Sequence, residues 1–251
     1  MRFSIKALAI AAVIGSLAAG ASATTTLNAT FNGVSPGANF NYSFDGSSTS
    51  TTAGTFNWTS VTGGSVNYGA FTAFCIDLTQ NISTGGTYLY NVDPLQNGPT
   101  PGTDTGGHGV NGAMGATKAG ELDELWGRYF NNILVGTTAQ QQQNAAAFQI
   151  AVWDIVYGTG LNLTNNSANF HATNGSDPDV VQAQTELNSL NGLGPMANLV
   201  ALDSSTNQDM VMSPSGTQPA GGAVPEPMTA GLSALGLGGL LLAALRRRRV
   251  A

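Results

Sequence analysis

Charge is the scarcest property of this chain. Of 251 residues only 9% are Asp, Glu, Lys or Arg, against about 25% in an ordinary soluble domain. Cysteine occurs once, at Cys75, which excludes an internal disulfide framework and a cysteine-rich zinc module. Two histidines, His108 and His171, are too few for a histidine-based metal centre, so neither a metal site nor a cofactor is expected. Basic residues are absent from most of the chain. Between positions 24 and 223 they are Lys118 and Arg128 alone, against thirteen acidic residues, a net charge of −11. Such a surface repels a phosphate backbone, and nucleic-acid binding is excluded on that ground. What the chain has in quantity is glycine, 33 residues, with Ser, Thr and Asn between apolar positions. A hydrophobic share of 42% suffices for a core.

The two ends read as addresses. Residues 1–23 have the form of a secretory signal peptide. Arg2 and Lys6 make the charged start, Ala7 to Ala19 a short apolar run, and Ala21-Ser22-Ala23 the small-residue exit. Signal peptidase is expected to cut between Ala23 and Thr24. At the other end Pro225-Glu226-Pro227 precedes the uncharged stretch 228–245, and Arg246, Arg247, Arg248 and Arg249 follow it. An apolar run of that length can cross a bilayer, and four arginines hold its far end in the cytoplasm.

This order of parts, over positions 224–251, resembles the PEP-CTERM sorting signal of Gram-negative bacteria. The resemblance implies a transient stay in the inner membrane and processing by an exosortase near Pro-Glu-Pro. The helix is then lost, and the protein passes to the cell surface, the outer membrane or the extracellular matrix. The alternative is a permanent tail anchor.

Between the ends, 24–212 fits one domain, followed by a Pro/Gly/Ser spacer at 213–223. Asn39 to Phe44 alternates with Phe40, Tyr42 and Phe44 on one face and reads as a half-buried strand. Gly54–Val61, Gly69–Leu78 and Gly86–Val92 read as further strands, and the Gly/Pro-rich segment from Pro94 to Gly115 as a loop. Leu122, Leu125, Trp126, Tyr129, Phe130 and Ile133 then fall on one helical stripe, with Glu121, Asp123 and Glu124 expected in its first turn. A second helix is expected from Thr138 to Tyr157, stopping at Gly158. A third starts at Asp177-Pro178 and runs to about Gly192. Asn198–Leu202 and Asp209–Met212 read as closing strands. The fold class is α+β, an antiparallel β-sandwich or barrel with a helical insertion.

Two residues suggest chemistry. Cys75 stands in an apolar strand with Asp77 two residues on, and Gln149 stands in the apolar stripe of the second helix, four residues before Trp153. Each has a plain reading, Cys75 as a small buried hydrophobe and Gln149 as a core amide bonded to backbone. As a pair, Phe74-Cys75-Ile76-Asp77 and Phe148-Gln149-Ile150-Ala151-Val152-Trp153 resemble the two motifs of bacterial surface thioester domains. That resemblance implies an internal Cys75–Gln149 thioester that attaches the protein covalently to an amine, a lysine or a polyamine, in one acylation rather than enzymatic turnover. Asp77 and Trp153 would flank the pair, Asp77 orienting a nucleophile or serving a turn, and Trp153 serving chiefly as core. Two competing readings remain at this stage. One is a non-reactive structural or carbohydrate-binding matrix protein. The other is a cysteine hydrolase pairing Cys75 with His171 or His108.

Overall fold

A computed structural model describes residues 24–99 and 112–215. The signal peptide at 1–23, His108, most of the spacer, Pro225-Glu226-Pro227, the stretch 228–245 and the four terminal arginines lie outside the described residues. Among the described residues no helix is long and apolar enough to cross a membrane.

The chain is a mixed α/β fold built on one large antiparallel sheet. Its strands are β1 (Thr26–Phe44), β2 (Ser47–Ser60), β3 (Ala70–Cys75), β4 (Thr87–Pro94), β5 (Phe170–Ala172), β6 (Val200–Asp203) and β7 (Met210–Met212). The helices are α1 (Gly115–Tyr129), α2 (Thr138–Tyr157) and α3 (Pro178–Asn188), inserted with β5 between β4 and β6. Pairing runs from β1 to β2, β3, β7, β6, β4 and back to β1, a closed ring, with β5 added at the far end of β1. Of the sandwich and barrel expected, ring closure is the barrel's feature.

β1 is far longer than the alternating segment 39–44. Its pairing with β2 shifts between Phe31 and Gly33 and again between Val34 and Gly37. The buried residues accordingly change from odd positions, Leu27, Ala29 and Phe31, to even ones, Phe40 and Tyr42. At the second shift the two backbones come so close that a Cβ on Gly37 would sit 2.6 Å from Ala53 O. Inside the ring Trp58 meets Phe31 (5.0 Å between ring centres), Tyr90 (5.7 Å) and Phe71 (6.2 Å). Phe74, one residue from Cys75 and so on the opposite face of β3, packs on Phe148 (4.5 Å) and Trp126 (5.4 Å) of the helical layer.

α2 is the axis of that layer. Thr137 and Gln140 form a reciprocal cap at its start, Gln140 Oε1 accepting from Thr137 N and Thr137 Oγ1 from Gln140 N. From Ala145 to Tyr157 every residue is buried, as befits a helix covered on all sides. α1 begins earlier than its stripe implies, so Glu121, Asp123 and Glu124 lie mid-helix rather than in the first turn.

There Glu124, 1% exposed, accepts from Arg128 Nε (2.9 Å) and Nη2 (2.6 Å) and from the backbone N–H groups of Asn191, Gly192 and Gly194. Burial works against its charge, but Arg128 and the three N–H groups together hold its carboxyl below the usual range. α3 stops at Asn188 and hands over to this loop, which Glu124 fastens to α1. Glu124→Gln, which leaves Arg128 without its counter-charge, is expected to lower unfolding free energy in urea by about 3 kcal/mol.

Candidate functional site

β3 ends at Cys75, and the next residues leave the sheet with no strand on the β2 side; the last β2 partner along β3 is Phe56, opposite Ala73. A side chain of α2 takes that place. Gln149 Nε2 donates to Cys75 O (2.9 Å), and Gln149 Oε1 accepts from Cys75 N (2.8 Å). The carboxamide thus bonds Cys75 as a neighbouring strand would, across 74 positions of sequence, and both residues are 0% exposed.

Four residues further along α2, Trp153 Nε1 donates to Cys75 Sγ at 3.4 Å. Four further again, Tyr157 donates from its hydroxyl to Ile76 O (2.9 Å) and accepts from Leu78 N (3.2 Å). Gln149, Trp153 and Tyr157 are one row of a helix, laid along the segment from Cys75 to Leu78. The opposite side is closed by the loop before β7, where Asp209 O accepts from Ile76 N (3.0 Å) and Gln208 Nε2 donates to Asp77 O (2.9 Å). Cys75 Sγ also donates to Asp77 O (3.0 Å) and accepts from Asp77 N (3.3 Å). Every backbone N–H and C=O from Cys75 to Asp77 therefore has a partner, which is what a buried irregular segment requires.

Asp77 does not continue the strand. It sits beyond the end of β3, so it does not share a strand face with Cys75, contrary to what the two-residue spacing suggests. Its Oδ1 accepts from Thr79 N and Thr79 Oγ1, both at 2.7 Å, the bonding of a turn residue. Its Oδ2 is buried without a hydrogen-bond partner. Trp153 holds two roles. Its ring belongs to a four-ring cluster with Phe40, Tyr42 and Phe170, centres 6.1 to 6.3 Å from its own, while its N–H reaches the sulfur.

The electrostatics follow from burial. Desolvation pushes the Cys75 thiol well above its ordinary range; the Trp153 and Asp77 hydrogen bonds oppose this, and the charges of Asp77 and Asp209 add to it. Asp209 is itself pushed up to about 8, first by burial, with Ser204 N–H working against it and the neighbouring Asp77 and Asp203 adding to it. Burial also raises Tyr157 and Tyr90. Cys75, Tyr90, Tyr157 and Asp209 are thus held toward their protonated forms in a site closed to solvent.

His171 lies on β5 opposite Ser43, with Nδ1 3.3 Å from Ala168 O, and among the described residues the groups bonded to Cys75 include no histidine. The sequence reading missed Tyr157, Gln208 and Asp209. Tyr157 carried a usable signal, its place eight residues after Gln149; the other two are brought in by long-range strand pairing and carried none.

Comparison with protein-family models, with curated proteins and with solved structures finds no match to this chain.

What this arrangement can do is set by four hydrogen bonds. The Cys75 N–H polarises the very carbonyl that Cys75 Sγ would attack, an oxyanion-type donor in a water-poor site. The Gln149 carboxamide is held against Cys75 by two bonds, so its orientation costs no further entropy. Two N–H donors, from Trp153 and Asp77, point at the sulfur and would stabilise a departing thiolate.

Proposed function

We propose that this chain is an exported surface or matrix protein of a Gram-negative bacterium that acylates amines through an internal thioester between Cys75 and Gln149. The observation that carries this reading is the reciprocal pair of hydrogen bonds between the Gln149 carboxamide and Cys75, at zero exposure. In the first step Cys75 Sγ bonds to Gln149 Cδ, the Cδ–N bond breaks, and ammonia leaves with the thiol proton. In the second an amine nitrogen bonds to Cδ, the C–S bond breaks, and the amine's proton passes to the released thiolate. The product is an amide link to a lysine or polyamine and a free Cys75, made once. Export rests on the signal-peptide pattern at 1–23 and the Pro-Glu-Pro, apolar stretch and arginines at 224–251. Signal peptidase and an exosortase are the processing partners this implies.

One observation favours a second, passive reading. Both Gln149 bonds run to the backbone of Cys75, so the glutamine also serves as the strand partner that β3 lacks, with no chemistry needed. Intact mass separates the two. The reactive protein is expected to be lighter than its sequence by one ammonia and to gain one methylamine on treatment, with both effects lost in Cys75→Ala and in Gln149→Ala. A full sequence mass, with Cys75 alkylated only once the protein is unfolded, would leave the passive matrix protein.

A further inference from the structure

The described residues hold a second polar site that this chemistry does not use. Asp154 lies on α2, 1% exposed, and neither of its carboxylate oxygens has a hydrogen-bond partner. It lines a cleft of about 350 Å3 between the start of α1 and the end of α2, together with Lys118, Glu121, Ile155, Gly158 and Leu161. Gly158 matters to the opening: a Cβ there would fall on Asp154 Oδ1. An unbonded buried carboxylate is costly. Burial, and then the charge of Glu121, push Asp154 up to about 7.

The cleft already shows what it attracts. The last carbonyls of a helix lack partners within it, and at the end of α2 one of them, Val156 O, accepts from Lys118 Nζ at 2.5 Å. The chain's own primary ammonium is thus drawn to this helix end, where the macrodipole favours a cation. Lys118 is taken up by Val156 and leaves both oxygens of Asp154 unbonded. Two carboxyls and one ammonium line the cleft, and the ammonium is bonded to a backbone carbonyl rather than to Asp154. Among the described residues no group of three or more His, Cys, Asp or Glu could hold a metal ion. The unmet groups are acceptors needing N–H donors, and Ile155 and Leu161 offer apolar surface to an alkyl stem.

We infer that the cleft between α1 and α2 binds an alkylammonium group, with Asp154 as its main acceptor and Glu121 as the second carboxylate. A lysine side chain of another protein and the end of a polyamine share this chemistry. Occupation gives Asp154 the donors it lacks, and it does not depend on thioester formation at Cys75.

The test is calorimetric titration of the full chain in the Cys75→Ala form, where no acylation interferes, with cadaverine and with Nα-acetyl-lysine methyl ester. Saturable binding is expected, weakened at least tenfold by Asp154→Asn and absent for 1-pentanol. Tighter binding of cadaverine assigns the cleft to polyamines, and tighter binding of the lysine ester to protein side chains. No saturable binding, or equal binding by Asp154→Asn, overturns the inference. Should Asp154→Asn not fold, Glu121→Gln at the cleft rim serves instead: weaker amine binding than the parent supports the site, and unchanged binding overturns it.

Discussion

Gln149→Ala is expected to lower the unfolding free energy by about 4 kcal/mol, read as a shift of the urea midpoint at unchanged slope. The loss has two sources. Cys75 N–H and Cys75 O each lose their partner at a position with no solvent exposure in the native protein, at about 1–3 kcal/mol per buried group. The missing side chain also leaves a void between α2 and β3. Cys75→Ala should cost less, because it leaves the two Gln149 bonds to the backbone in place. A thioester would change the same accounting. It retains the Gln149 carbonyl for Cys75 N–H but gives up Nε2, the donor to Cys75 O. Methylamine returns one N–H at that position but opens the covalent link between positions 75 and 149, so the treated protein should melt lower than the thioester form.

Stability is expected to be greatest near pH 5 and to fall through pH 7 to 8, the reverse of an acid-labile protein. Four carboxyls, all held up first by burial, set this. Asp209 is raised to about 8, and Asp123, Asp154 and Glu186 to about 7. In the unfolded chain such groups titrate near 4. Between the two values the folded protein holds protons the unfolded chain has released, so stability is fully present below about pH 4 for these groups and is lost as pH rises through the folded values. A tenfold difference in proton affinity between the two states is about 1.4 kcal/mol, so Asp209 alone ties several kcal/mol to pH. Glu124 acts in the opposite sense, its contribution being lost as pH falls below the usual carboxylate range. Thermal melts from pH 4 to 9 check the profile. Asp209→Asn should flatten its upper limb; an unchanged limb would show that Asp209 is ionised in the native state.

How much of this could be read from the chain alone depended on periodicity. α2 was legible end to end, because its apolar stripe and the stop at Gly158 gave the bounds observed, Thr138 to Tyr157. β1 was legible only over 39–44. Gly33, Pro36 and Gly37 break its alternation, and the bulges there turn the buried side from odd to even positions, which a period-two reading takes for a loop. β5, three residues long, has no period to read. At the site, no physical pattern in the sequence joined Cys75 to Gln149; the paired motifs did. Trp153 looked like core because its ring is core, and only the direction of its N–H assigns it to the sulfur. Asp77 was misplaced by assuming that β3 runs on past Cys75, whereas Tyr157, Gln208 and Asp209 satisfy the backbone there in place of a neighbouring strand.

Lys118 has one more consequence. A protein that acylates amines, held at high density on a surface, has its own copies as nearest neighbours, and their lysines would be the first to consume it. Between positions 24 and 223 Lys118 is the only lysine, and its Nζ is tied to Val156 O at the end of α2. Under the proposed function, a neighbouring copy cut after Ala23 would offer no amine besides this tied one and its α-amino group. Such a molecule could be packed closely and stay monomeric and loaded, keeping its single reaction for a surface that is not its own.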